Sequence, residues 1–342
     1  MKTSGAVTIK DVAKMAGVSP STVSRVISRN PKITPETSEK VLKCMKELGY
    51  YPNAIARSLA SKKSGTIGVI MPTTSEDVLL NPFFPEALRG IAKAASKAGY
   101  DLLLSTNAEK GEELKVIKNF IRGSKVDGII LMSSKVNDEC IEFLTSLDFP
   151  FSLIGSPHCF SDKINHVDND NYMAAYELTR HLSMTGRRKK IAMIAGDEKL
   201  TVTQKRIEGY KKALEESNIP FKHELLFMGS FDEKTGYKYG SIIADLDPRP
   251  DAVIVTDDVV AFAAVRLFES LDVKIPEDIA VASFNNSILS RYSNTPITSV
   301  DVNAAKLGKE SMKLLVEAME SGVRGSKVIT PYTLHKRKST EG

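Results

Sequence analysis

The stretch AGVSPSTVSRVISRN, residues 16–30, places a glycine, a serine and a proline directly ahead of an apolar run. Gly17 is a helix stop, Ser19 an N-cap, and Pro20 a first helical residue whose missing N–H costs nothing at that position. Val23, Val26 and Ile27 form the buried stripe of the helix that follows, with Ser21 and Arg25 off that stripe. Upstream, Ile9, Val12, Ala13 and Ala16 fall at i, i+3, i+4 and i+7, with Thr8 as N-cap and Asp11 in the first turn, where an acid is favourable. Downstream, Thr34-Pro35 repeats the cap-plus-proline start, Val41, Leu42, Met45 and Leu48 supply an apolar face, and Gly49 ends the helix. Three short helices with a tight turn between the first two read as a helix-turn-helix unit.

Charge separates this unit from the rest. Among 342 residues the net charge is +5, yet residues 1–64 carry 12 Lys/Arg against 4 Asp/Glu, a surplus of 8, which leaves −3 for the remainder. A basic segment on a mildly acidic body points to a polyanionic partner for the segment alone. A generic three-helix subdomain with a basic surface is the plainer alternative. Against it, the second helix opens with small polar side chains and presents a long cation one turn later. That pattern suits a major groove, where arginine bonds guanine O6 and N7 together. The three cysteines, Cys44, Cys140 and Cys159, form no C-x-x-C pair, so neither a disulfide framework nor a metal site is expected, and no cofactor. With no apolar leader before a small-residue cleavage site and no apolar run of membrane-spanning length, the expected compartment is the cytoplasm.

Residues 7–60, VTIKDVAKMAGVSPSTVSRVISRNPKITPETSEKVLKCMKELGYYPNAIARSLA, resemble the DNA-binding domain of the lac repressor (LacI/GalR) family. The resemblance implies that the second helix reads a major groove through Pro20, Ser21 and Arg25. It gives Thr8, Ser19, Thr22, Ser24 and Asn30 roles as caps or phosphate contacts. In YYPNAIARSLASKKSG, residues 50–65, Ala54–Ala60 is too short a helix to be stable alone, and an ordinary linker is the reading that local physics favours. The resemblance instead makes it a hinge helix folded on DNA, with Asn53, Arg57 and Leu59 as contacts and Leu59 wedged into the minor groove.

From Thr66 onward apolar strands alternate with amphipathic helices. TIGVIM, YDLLLS, VDGIILM, FPFSLIG, KKIAMIA, ELLFMGS, DAVIVT and DIAVASF are the strands, and such continuous apolar runs with helical crossovers imply parallel sheets covered on both faces. Two doubly wound lobes follow, with the last unit, TSVDVN, KLGKESMKLLVEAM and VITPYTL, crossing back between them. The expected domains are a helix-turn-helix over 1–52, a hinge and linker over 53–65, and an effector domain over 66–342. Within the last, lobe 1 takes about 66–165 and 296–325, and lobe 2 about 166–295 and 326–340.

Ligands of open parallel sheets bind where loops converge at the carboxyl ends of strands. The loops there supply Phe83, Phe84, Asp168, Arg206, Phe231, Asp257 and Asn285, the aromatic faces and directed polar groups that a sugar ring requires. Plainer alternatives stand beside these: Phe83 and Phe84 as core or lobe-interface residues, Asp168 and Asp257 as helix caps, Arg206 in a surface ion pair.

NPFFPEALRG, HVDNDN, KRIEGY, GSFDEKTGY, PEDIAVASFNN and TPITSVDVNAAKLG occur in the order found in the effector domain of the lac repressor family, which has the type I periplasmic-binding-protein fold. The resemblance implies that Phe84 and Phe231, with Phe83 beside them, stack on a ligand that Asp168, Arg206, Asp257 and Asn285 bond. Many relatives carry an aspartate where this chain has Asn285. With that departure the chain looks most like the maltose-operon repressors of the family. The expectation is therefore a cytoplasmic regulator, a repressor of maltose-type genes, that binds double-stranded operator DNA as a homodimer under control of a sugar. Three alternatives stand beside it: a catabolite-control regulator with a phosphocarrier protein as co-regulator, a sugar-binding protein unconnected to DNA, and an enzyme. The sequence holds no dinucleotide, Walker, nucleophile-elbow or H-E-x-x-H motif, so no enzyme is expected.

Overall fold

The computed structural model describes residues 7–27, 30–50, 63–72, 78–105, 112–185 and 188–341, and the chain divides into two compact units, Met1–Gly65 and Thr66–Gly342. Asn53, Arg57 and Leu59 lie outside the described residues.

In the first unit α1 (Ile9–Ala16), α2 (Pro20–Ile27) and α3 (Pro35–Leu48) pack around Val12, Ala13, Ala16, Val23, Val26, Val41 and Cys44. Gly17 takes φ +62°, the left-handed conformation that lets Val18 N–H return to the Ala13 carbonyl at 3.0 Å and turn the chain at once into α2. Ser19 Oγ accepts the Thr22 N–H at 3.1 Å and Thr34 Oγ1 the Thr37 N–H at 3.3 Å, so both caps form as the sequence implies. One expectation fails. Leu42 is 54% exposed, and Cys44 takes the core position, because the inward stripe of α3 is Val41, Cys44, Met45 and Leu48, about two turns of strict i, i+3, i+4, i+7 spacing.

The second unit holds two six-stranded sheets. The first has the order β11 (Lys327–Thr330), β5 (Asn165–Asn169), β4 (Phe151–Ile154), β3 (Gly128–Leu131), β1 (Thr66–Ile70) and β2 (Asp101–Ser105), all parallel. The second runs β12 (Thr333–His335), β10 (Thr298–Asp301), β9 (Ala280–Phe284), β8 (Ala252–Val255), β6 (Ile191–Ala195) and β7 (Leu226–Met228), with β12 antiparallel. Helices cover both faces, as fully buried strands demand. In β6, Ile191, Met193 and Ala195 face α7 (Asn171–Thr185) and α8 (Thr201–Glu216), whereas Ala192 and Ile194 face α9 (Glu233–Asp245) and α10 (Asp258–Ser270). Lobe 1 repeats the plan. On one face lie α4 (Phe83–Ala98) and α12 (Ala304–Ser321), brought together at Gly90, where a Cβ would stand 1.9 Å from the Ala305 carbonyl oxygen. On the other lie α5 (Glu113–Arg122) and α6 (Glu139–Ser146).

The lobe boundaries differ from expectation. The segment that carries Asp168, expected as a loop of lobe 2, is strand β5, NHVDN, and belongs to lobe 1; its polar side chains are all buried, and hydrogen bonds rather than hydrophobicity hold them. VITPYTL is two strands in two sheets: β11 extends lobe 1 and β12 extends lobe 2, parted at Pro331. β10 pairs with β9, so residues 298–301 sit in lobe 2 and not in lobe 1. α11 (Ile288–Tyr292) lies in the loop between β9 and β10.

Candidate functional site

Two sets of side chains stand out, one on each unit. On the first, the apolar stripe of α2 leaves Pro20, Ser21, Ser24 and Arg25 exposed on the opposite face. Ser19 Oγ lies 2.7 Å from Ser21 Oγ and 2.9 Å from Thr22 Oγ1, a hydroxyl cluster at the start of the helix. Thr8 donates through N and Oγ1 to Asp11 Oδ2 at 2.9 and 2.7 Å, and the Thr8 hydroxyl is the main reason that the Asp11 carboxyl sits below its ordinary range. Asn30 Oδ1 accepts the Lys32 N–H at 3.0 Å and fixes the turn after α2. Thr8, Ser19 and Asn30 are thus capping and turn residues, whereas Ser21, Ser24 and Arg25 have no part in the hydrophobic core.

On the second unit a cleft of about 770 Å³, part of it open to solvent, lies between the lobes at the carboxyl ends of the strands. Phe83, Phe84, Asp168, Arg206, Phe231, Asp257 and Asn285 all line it, although they come from six separate segments. Lobe 1 gives the aromatic wall: Phe83 and Phe84, at the start of α4, meet edge to face with centroids 5.2 Å apart. Phe83 also packs into the apolar clusters of both lobes, so it is core and cleft at once.

Lobe 2 gives Arg206 and Asp257, and β5 of lobe 1 gives Asp168. Arg206 is 6% exposed on α8 and, among the described residues, makes no ion pair within salt-bridge distance. Its Nε donates to Asn171 Oδ1 at 3.0 Å, its Nη1 donates to the Thr256 carbonyl at 2.7 Å, and its guanidinium stacks 4.0 Å from the centre of the Phe284 ring. Nη2 has no hydrogen-bond partner among the described residues. Burial lowers the guanidinium to about 10, where it remains charged at neutral pH. Asp257 follows β8 and caps α10 through the Val259 N–H at 2.8 Å. Its Oδ2 accepts amide hydrogens from Asn285 of lobe 2 at 2.9 Å and from Asn81 of lobe 1 at 2.8 Å. Burial raises the Asp257 carboxyl to about 6. An aspartate at position 285 would set a second carboxylate against this one; asparagine supplies a donor instead. Asp168 does not cap α7, a role that Asp170 takes at Met173 N. It accepts from Ser156 Oγ at 2.7 Å, from Asn171 Nδ2 at 2.8 Å and from the Asn169 N–H at 2.8 Å, and burial raises its carboxyl as well.

Sequence reading passed over Asn81, Asn171 and Gly196. Asn81 Oδ1 accepts the Phe83 N–H at 3.0 Å while Nδ2 reaches Asp257, so one amide joins the aromatic wall to the charged one. The Asn-Pro pair ahead of a helix was its only signal. Gly196 seats Phe231: a Cβ there would stand 2.3 Å from the ring.

Comparison with known proteins agrees with this fold. A family profile described as bacterial regulatory proteins, lacI family, matches residues 8–53, and one for a periplasmic binding protein-like domain matches residues 179–340. The chain is 36% identical to the HTH-type transcriptional regulator MalR of Streptococcus pneumoniae, over 94% of this chain and 95% of that one. It is 34% identical to catabolite control protein A of Priestia megaterium, over 98% and 99%. Among solved structures, a transcriptional regulator CelR–cellobiose complex superposes with a TM-score of 0.76 at 28% identity, covering 97% of this chain and 99% of that one. A basic helix-turn-helix ahead of a two-lobed cleft, matched along almost its whole length by such relatives, places the chain in the lacI family of bacterial regulatory proteins, the DNA-binding regulators of transcription.

Proposed function

We propose that the protein is a repressor of carbohydrate genes, dimeric on a near-palindromic operator, whose DNA affinity is set by a maltose-type sugar in the interlobe cleft. The cleft composition carries this reading. An aromatic pair and buried charged groups line one cleft, so a sugar can place its C–H face on the rings and its hydroxyls on Arg206, Asp168 and Asp257. The likeness to MalR favours an α-linked disaccharide, and the likeness to the CelR–cellobiose complex makes a β-linked one the natural control. On the DNA side, Pro20, Ser21 and Arg25 are assigned to the bases, and Thr8, Ser19, Thr22, Ser24 and Asn30 to the backbone or to capping. The hinge contacts at Asn53, Arg57 and Leu59 belong to the same reading. A two-fold protein presents its reading helices to a two-fold site, which is the reason to expect a dimer.

Retardation of DNA from the protein's own promoter region, with and without maltose, maltotriose or cellobiose, tests the proposal. Release by the α-linked sugars alone is the expected result. A response to neither sugar type, with a response to a phosphorylated carrier protein, would replace the reading by catabolite control, the activity named for the Priestia relative.

A further inference from the structure

In the second unit the chain passes between the lobes three times: from β5 to α7 at residues 169–171, from β10 to α12 at 301–304, and from β11 to β12 at 330–333. One side chain joins all three. Asn169, the last residue of β5, donates through Nδ2 to the Val302 carbonyl at 3.1 Å, to the Thr330 carbonyl at 3.0 Å and to Thr330 Oγ1 at 2.8 Å. Two amide hydrogens serve three acceptors, with one shared by the two Thr330 oxygens. Asn169, Val302 and Thr330 are all buried, so water does not replace these bonds. The Asn169 N–H donates to Asp168 Oδ1, Asn171 Nδ2 donates to the same oxygen, and Asn171 Oδ1 accepts from Arg206 Nε. A continuous hydrogen-bonded path thus runs from the cleft guanidinium to each crossing.

We infer that Asn169 is the pin of the interlobe hinge: by tying the three crossings together it makes them bend as one, and it delivers to them any displacement of Asp168 or Arg206. The β-ladder of lobe 1 ends at the Asn169–Thr330 pair, and that of lobe 2 ends at Val300–Phe284 on the β9 side and at Asp301–Thr333 on the β12 side. Between those ends the crossings have no sheet to align them, and the Asn169 amide supplies the lateral bonds there. Without it, motion at one crossing does not oblige the others to follow, and a ligand that repositions one lobe is read out weakly by the other. Asn169 is a positioning residue, since it acts through the crossings and through Asp168. The pinning stands on the geometry alone; the delivery of a ligand signal rests on the proposal that the cleft binds a sugar.

The experiment is hydrogen–deuterium exchange on the full-length, unliganded protein, comparing wild type with Asn169→Ala and with Thr330→Val, which is near-isosteric and removes one acceptor. In Asn169→Ala, exchange should rise roughly tenfold in all three crossing segments together, with β3 and β8 unchanged. Thr330→Val should show the same pattern at smaller amplitude, and it serves if the alanine variant does not fold. A rise confined to residues beside position 169, or no rise at 301–304, overturns the inference. A second measurement reads the coupling: with maltose as probe, the ratio of operator affinities without and with sugar should fall toward one in Thr330→Val, while sugar affinity and sugar-free operator affinity each stay within about threefold of wild type. If wild type itself ignores maltose, the sugar reading fails while the exchange pattern still decides the hinge; an undiminished ratio with loosened crossings would limit Asn169 to a structural role.

Discussion

Arg25 and Arg206 are both arginines assigned to ligand recognition, yet their surroundings are opposite. Arg25 stands on the exposed face of a short helix whose other side is a small apolar core. Arg206 is buried on a long helix, held by an amide, a carbonyl and an aromatic ring, with one nitrogen left toward the cleft. On the proposed function the contrast follows from the ligand. A nucleic acid brings dense charge, so an exposed, hydrated guanidinium on a correctly oriented helix can steer and then bond it. A neutral sugar brings no charge, and only groups already desolvated and fixed can gain enough from its hydroxyls over water.

Four experiments would break or sharpen that contrast. The largest effect is expected for Arg206→Ala. Sugar affinity should fall by about 2–3 kcal/mol, the upper range for hydrogen bonds to a charged group, with operator binding kept. Calorimetry with maltose checks the first part and retardation the second; an unchanged dissociation constant would remove Arg206 from the site. Arg25→Ala should weaken specific operator binding by about 1–3 kcal/mol and lower discrimination more than non-specific affinity. An equal loss in both would make Arg25 a phosphate contact, and its slope against salt would then drop too.

Gly196→Ala acts on packing alone. Its Cβ would collide with Phe231 at 2.3 Å and stand 3.1 Å from Thr203 Oγ1, and moving the ring should cost roughly 1 kcal/mol of sugar affinity. The fourth experiment concerns pH and reads stability rather than affinity. Because Asp257 holds its proton up to about 6 in the folded chain against an ordinary 3.8, the folded state binds more protons than the unfolded between those values. Stability contributed there is present at low pH and lost as pH rises through the window. The Tm difference between wild type and Asp257→Asn should therefore slope between pH 4 and 6 and flatten above; a flat difference would mean that Asp257 is ionised throughout.

The two regions also differed in how far they could be read. Caps, proline starts and the glycine stop of the helix-turn-helix are local devices, set by residues within one turn of each other, and they form where the sequence implies. Leu42 was misplaced because hydrophobicity ranks leucine above cysteine, whereas helical phase decides which of them faces inward. In the second unit the apolar strands were legible and NHVDN was not. A buried strand built from asparagine, histidine and aspartate has no hydrophobic signal, and its burial depends on partners such as Ser156, Val323 and Thr330 that lie far away in the chain.

Amino-acid order alone settled the helix-turn-helix, the alternation of strands and helices, the basic–acidic division of the chain and which loops meet at a cleft, since each depends on near neighbours or on sheet handedness. Tertiary structure decided the rest. That Arg206 is buried rather than surface-paired, that Asn81 spans the cleft to Asp257, that β10 joins lobe 2, and that Asn169 reaches two crossings more than a hundred residues away are all consequences of long-range packing. A side-chain amide can bond any carbonyl of the chain, and only the folded arrangement of two sheets selects which one comes within 3 Å.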